Sequence, residues 1–234
     1  MDGVRFRTMA LEEVATAVEW AAKEVWNPGL SDADRFYAVD PEGFFCAEAD
    51  GKIVGTVSVV NYDDRFSFAG LFLHYNNARY QGTGGGTVPA GLTPLKDVPF
   101  AALAEYDAAH FPARREKFLR CWIGQEGHYG LARLDGNGRI FGYGVRRACH
   151  TGHKIGPLFA SDRATAEMIL DGLVAGIPIE PFFLDIPVPN SDAVALVKDR
   201  GMVPVFFTAR LYTTPDPVPL PLGEIFGVTT FELG

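Results

Sequence analysis

A chain of 234 residues that is 47% hydrophobic and 12% aromatic carries enough apolar mass for the packed core of one large domain or two small ones. Its formal charge of −8, with basic residues no more clustered than the pairs Arg114-Arg115 and Arg146-Arg147, argues against a non-specific nucleic-acid or anionic-membrane surface. Cys46, Cys121 and Cys149 form no CxxC pair and no disulfide framework. No apolar run approaches the ~18 residues of a membrane span, and Met1-Asp-Gly-Val-Arg-Phe-Arg7 has no signal-peptide core, so the sequence reads as a cytoplasmic protein with no membrane or nucleic-acid partner.

Residues 4–8 alternate in strand fashion, and residues 10–26 place Leu11, Val14, Ala17 or Val18, and Ala21 on one helical face. Asn27-Pro28-Gly29 ends that helix, Ser31-Asp32 caps a short second one, and Pro41-Glu-Gly43 breaks it. Residues 44–49, 52–62 and 66–74 then read as three strands, the first two joined by Asp50-Gly51, a dipeptide suited to a type I′ turn. Gly82-Thr-Gly-Gly-Gly86 and the Pro-bearing residues up to Pro99 lack periodicity and read as a linker. Beyond it the plan repeats: helices at 100–109 and 113–122, then strands at 128–134, 140–149 and 154–159. The second copy continues with a helix at 163–174, a strand at 181–188, a helix at 191–200 and a strand at 203–212, before a Pro-rich tail that ends in residues 226–233. The expected division is a partial domain over 1–81, a linker over 82–99 and a complete domain over 100–234.

That order (strand, two helices, three antiparallel strands, helix, strand, helix, strand) resembles the GNAT superfamily of acyl-CoA-dependent N-acetyltransferases. The resemblance covers residues 94–213 in full and the first copy to about residue 72. Trp26-Asn-Pro-Gly29, Asp40-Pro-Glu-Gly-Phe44 and Lys154-Ile-Gly-Pro-Leu-Phe159 are similar to a two-domain bacterial group in which a GNAT domain precedes a degenerate second one. The resemblance implies an α+β fold, a mixed and mostly antiparallel sheet flanked by helices. It further implies acetyl transfer from acetyl-CoA, as co-substrate, to an amine of a small molecule or a protein.

In that family an Arg/Gln-x-x-Gly-x-Gly loop and the helix after it hold the cofactor pyrophosphate on free backbone amides. In the first copy Phe68-Ala-Gly-Leu-Phe-Leu73 should lead into the loop, yet the chain passes to His74-Tyr-Asn-Asn-Ala-Arg-Tyr80, which resembles the family's last strand, so the cofactor half is missing. Arg79 to Gly84 fits the loop in letters, but Pro89 and Pro94 stand where the helix must start and continue. In the second copy the junction Pro157-Leu-Phe-Ala160-Ser161-Asp162 has no glycine, and it reads either as a phosphate-binding helix start or as a plain cap. By resemblance, Leu158 and Ala160 would align the pantetheine, Arg163, Ala164 and Thr165 would meet the pyrophosphate, and Asn190 would orient the acyl end. Asn190-x-x-Ala193-x-x-Leu196-Val197-x-x-x-Gly201-Met202 follows the family's last motif except that Val197 replaces the tyrosine acid and has no proton to donate.

Other residues can carry chemistry. Asp185, in the apolar strand Phe182-Phe-Leu-Asp-Ile-Pro187, needs a partner or a wet cleft and reads as a pocket candidate or a satisfied structural carboxylate. Tyr212 and Arg210 share a face of the last strand and either line an acceptor pocket or face water, so that Asn190, Asp185 and Tyr212 are the candidate catalytic residues. His150 and His153 form a turn pair without a third ligand, and Glu48 and Glu105 are lone carboxylates. Two functions remain open, an N-acetyltransferase and a non-catalytic degenerate module that binds a ligand or a protein. The orphan strands of the first copy are expected to join an extended sheet or to be covered in a homodimer.

Overall fold

The computed structural model describes residues 4–23, 27–49, 51–63, 66–69, 75–210 and 219–232. Strand β1 (Val4–Thr8) leads to helix α1 (Leu11–Lys23), where the Glu13 carboxylate accepts the Ala10 amide at 2.8 Å and satisfies a donor that the helix start leaves free. Helix α2 (Asp32–Val39) follows. Strands β2 (Phe44–Ala49), β3 (Lys52–Asp63) and β4 (Phe66–Ala69) complete a four-stranded antiparallel sheet in the order β1-β2-β3-β4. After β5 (Tyr75–Thr83) come β6 (Leu92–Pro94), α3 (Phe100–Ala108), α4 (Glu116–Ile123), β7 (His128–Leu134), β8 (Ile140–Ala148) and β9 (His153–Ala160). The chain continues with α5 (Arg163–Val174), β10 (Pro181–Pro187), α6 (Ser191–Asp199), β11 (Val203–Arg210) and β12 (Ile225–Gly227).

The second sheet has the order β11-β5-β10-β9-β8-β7-β6, with β12 added against β9. β5 therefore leaves the first copy and lies antiparallel to both β10 and β11, with Arg79 opposite Asp185. The glycine run that reads as a linker is anchored: the Gly84 amide donates to the Glu180 carbonyl at 2.8 Å and the Gly85 amide to the Val174 carbonyl at 3.0 Å. A Cβ at residue 84 would stand 2.2 Å from the Ile177 carbonyl oxygen, so only glycine allows that approach.

The two copies share a core. Val14, Phe36, Phe44 and Val60 of the first pack in one cluster with Phe118, Trp122, Tyr143 and Phe159 of the second, while α5 lays Ala166, Ile169, Leu170 and Leu173 on the other face of the second sheet. The first-copy strands thus form a sheet of their own, joined to the second copy through side chains rather than by edge pairing. Polar contacts tie the seam. Asn27 exchanges 3.0 Å hydrogen bonds with the backbone of Thr151, and the buried Arg147 donates to Asp32 at 3.2 Å. No helix among the described residues is long and apolar enough to cross a membrane.

His128 sits under this seam, edge-on to Trp122 with ring centroids 5.0 Å apart and with Nδ1 2.7 Å from the Trp122 carbonyl. Burial pushes its imidazole down to about 4, against the opposing pull of that carbonyl. The folded state holds the ring neutral while the unfolded chain takes up a proton below its ordinary value of about 6.5, so the stability it contributes is present above that value and is lost as pH falls toward 4. The urea midpoint is expected to fall between pH 7 and pH 5, and His128→Gln should shrink that fall. An equal fall in both proteins refutes the assignment.

Candidate active site

β9 and β10 are parallel and pair only at Phe182 with His153, Phe183 with Lys154 and Leu184 with Ile155; beyond these residues they part. The chain's own β12 fills the opening. Ile225 pairs with Phe159 and Gly227 with Leu158, and the Val228 amide donates to the Asp185 carbonyl at 2.8 Å. Phe226 between them is fully buried. The backbone comes so close that a Cβ at Gly156 would lie 2.4 Å from the Thr229 carbonyl oxygen.

The residues expected to form a cofactor site lie around this insert. Leu158 and Ala160 are buried beneath it. Asn190 caps α6, its Oδ1 accepting from the Asp192 amide at 3.0 Å and the Ala193 amide at 3.1 Å, and its Nδ2 donates to the carbonyls of Ile225 at 2.9 Å and Gly223 at 3.3 Å. At the start of α5 the Asp162 carboxylate takes the Thr165 amide at 2.7 Å, which holds its pKa below the usual carboxylate range, and Ala164 is exposed. Arg163 turns away to Glu167 at 2.7 Å and Asp199 at 2.5 Å. Asp185 is gripped by Arg79 through two hydrogen bonds of 2.6 and 2.7 Å. Val197 is fully buried among apolar residues of the core. Tyr212 lies outside the described residues, as does the side chain of Arg210.

The remaining candidates are tied up locally. His153 Nε2 lies 3.0 Å from Glu180, Glu48 accepts from Arg7 at 2.8 Å, and Glu105 accepts from Arg114 at 2.5 Å. His150 is exposed, and among the described residues no group of three His, Cys, Asp or Glu side chains stands ready to hold a metal.

Open space lies instead in the first copy. A cavity of about 670 Å³ runs between α1, α2 and the strands β2, β3 and β4, within the size range of small-molecule sites. Val14, Val18, Phe36, Phe44 and Phe68 make it apolar; Thr56 and Ser58 add hydroxyls, and Phe231 and Glu232 close it from the tail just beyond β12. Glu232 faces Lys154 at 3.7 Å. Burial by itself would raise its carboxyl, but the charges of Lys154 and Arg147 and the Thr230 hydroxyl prevail and hold it below the usual carboxylate range. Sequence reasoning missed Glu232 and its neighbours; the one signal for them is the apolar Ile225-Phe-Gly-Val228 after the prolines.

Residues 103–227 match the family model described as acetyltransferase (GNAT) domain, and residues 11–88 match the one described as acetyltransferase (GNAT) family. The chain belongs to the GNAT acetyltransferases. It is 26% identical, over 277 residues that span 96% of this chain and 92% of the relative, to the holothin acyltransferase of Pseudoalteromonas sp. (strain SANK 73390). That alignment is longer than the chain, so the relative carries residues opposite gaps here. Among solved structures, a Pyrococcus horikoshii protein assigned to the acetyltransferases superposes with a TM-score of 0.75 at 16% identity, over 100% of this chain and 97% of the other. A tandem GNAT protein from the clavulanic acid biosynthesis pathway gives 0.57 at 12% identity, over 90% and 99%.

GNAT proteins use an acyl-CoA, and the second GNAT copy does not fit one. The gap between its parallel strands is filled by β12, the amide side chain of Asn190 is spent on the carbonyls of that strand, and a carboxylate occupies the helix start where a pyrophosphate would need free amides. The described residues that line the first-copy cavity suit an apolar body, with no cation at its walls for phosphates.

Proposed function

We propose that this GNAT chain acylates an amine of a small, largely apolar molecule held in the first-copy cavity, with the second copy as scaffold and the acyl thioester bound outside that copy's filled cleft. The observation that carries this reading is the contrast between the two copies: β12 fills the cleft of the second, whereas the first keeps about 670 Å³ open. α1 and the aromatic side chains of Phe36, Phe44 and Phe68 would exclude water from the acceptor's body, leaving its nitrogen to the hydroxyls of Thr56 and Ser58 and to the tail.

The filled cleft and Val197 in place of a proton donor also favour a second reading, a binding module without turnover. Titration with acetyl-CoA and desulfo-CoA, followed by a thiol-release assay over a panel of amines, separates the two. The enzyme reading expects micromolar binding and turnover that Thr56→Trp, at the exposed rim of the cavity, lowers at least tenfold. Silence at millimolar ligand leaves only the module.

A further inference from the structure

The outer face of the first sheet lacks the cover that the second copy gives to the same face. Along β3, Thr56 and Ser58 lie opposite the buried Cys46 and Phe44 and share their inner side, so alternation sends Gly55 and Val57 outward. There they are level with Ala47 and Phe45 of β2 and, through Ala47, with Phe6 of β1. Phe6 is 79% exposed and Val57 55%. A Cβ added at Gly55 would meet only the Cβ of Ala47, at 3.9 Å. In the matching strand of the second copy, β8, a Cβ at Gly144 would strike Leu173 at 2.9 Å and Ile169 at 3.1 Å, because α5 lies across it. Only five residues separate β4 from β5, against the twelve of α5, so the first copy has no helix in that place.

The centre of this bare face is apolar and uncharged: Arg5, Arg7 and Glu48 alternate to the inner side, where Arg7 bonds Glu13 of α1 at 2.7 Å. It is also its own complement. Phe6 and Val57 stand out from it, whereas Ala47 and Gly55 leave a hollow, which is the relief that a two-fold, sheet-on-sheet contact interdigitates. Phe6 presents about 150 Å². With Val57 and the half-buried Phe45, Ala47 and Val59, each chain offers about 500 Å², so two faces bury about 1,000 Å² together, the lower bound for a specific interface.

We infer that a second copy of this chain covers the face, the two first sheets packing together in a homodimer with Phe6 and Val57 of each chain against the hollow at Ala47 and Gly55 of the other. The cavity lies on the other side of the sheet, so this contact is independent of acylation. Residues 1–69 hold thirteen acidic and six basic side chains, a formal −7, and residues 70–234 sixteen and fifteen, a formal −1. The paired first copies therefore repel, and salt screens that repulsion while leaving the apolar contact intact. Sedimentation of the full chain should show a monomer–dimer equilibrium in the micromolar range that tightens at least threefold between about 0.05 and about 0.5 M NaCl. Phe6→Lys with Val57→Lys should stay monomeric at about 300 µM while keeping the wild-type urea midpoint, since both side chains are exposed. Gly55→Glu, which fills the hollow without a clash in the free chain, should weaken association at least tenfold. Val203→Lys with Phe207→Lys, equally exposed on β11 at 55% and 63%, should leave it unchanged. A wild-type chain still monomeric at about 300 µM, a dimer that salt weakens, one that survives either first-sheet variant, or one that the β11 pair also dissolves overturns the assignment.

Discussion

Phe226→Ala is expected to lower stability by about 3–5 kcal/mol and the melting temperature by about 10 °C, one of the largest losses available to a single substitution in this chain. The ring is fully buried in the cluster that also holds Leu158, Leu184 and Leu196, and it is the side chain with which β12 wedges β9 and β10 apart. Truncation would leave a cavity bounded by two strands and α6, none of which can close on it without breaking its own pairing. Thermal and urea unfolding with matched slopes would give the number. A loss under about 1 kcal/mol would mean that the tail does not occupy the cleft in solution. Asn190→Ala acts on the same insert from the opposite side, uncapping α6 and freeing the carbonyls of Gly223 and Ile225. It should therefore destabilise whether or not the protein has turnover, and a lost activity in that variant is no evidence for a catalytic asparagine.

The elements of the second copy were legible because their patterns are local. The helix over residues 163–174 is bounded in the structure as its apolar spacing and the acidic cap require, with Asp162 accepting the Thr165 amide, and the strand over 128–134 follows the turn residues on either side. The GNAT resemblance rested on that order and held. What could not be read was which partner each strand takes. The likeness of residues 74–80 to a last strand was visible, but its place between β10 and β11 depends on residues about a hundred positions away. β12 is three residues long, too short for alternation to register, and its burial is decided by a gap between other strands. The glycine run reads as a linker because glycine density signals entropy, whereas its fixed backbone depends on the carbonyls of Val174 and Glu180, which no local pattern reveals. Glu232 was invisible for the same reason, since its setting is made by Lys154 and by two walls of the other copy.

Asp185 was singled out because a carboxylate in an apolar strand needs a reason, and the structure supplies a partner that makes a sharp prediction. Arg79 and Asp185 are opposite one another in the β5–β10 register, both almost fully buried, and the guanidinium is covered by the rings of Phe206 and Phe231 at 5.7 and 4.8 Å. Removing one member strands the other charge in a place water does not reach, so Asp185→Ala should cost about 3–5 kcal/mol. Removing both should not: the double replacement Arg79→Met with Asp185→Leu, which keeps the volume apolar, is expected within about 1 kcal/mol of wild type, because the desolvation of two charges disappears along with their attraction. A catalytic carboxylate behaves in the opposite way, since Asp185→Asn would then erase turnover at little cost in stability, and the double replacement would be stable and dead. Urea unfolding of the two single variants and the double one, set beside their acyl-transfer rates, separates these cases. A double variant that is stable and still transfers acyl groups assigns the pair to the architecture of the shared sheet, and leaves the chemistry to the first-copy cavity.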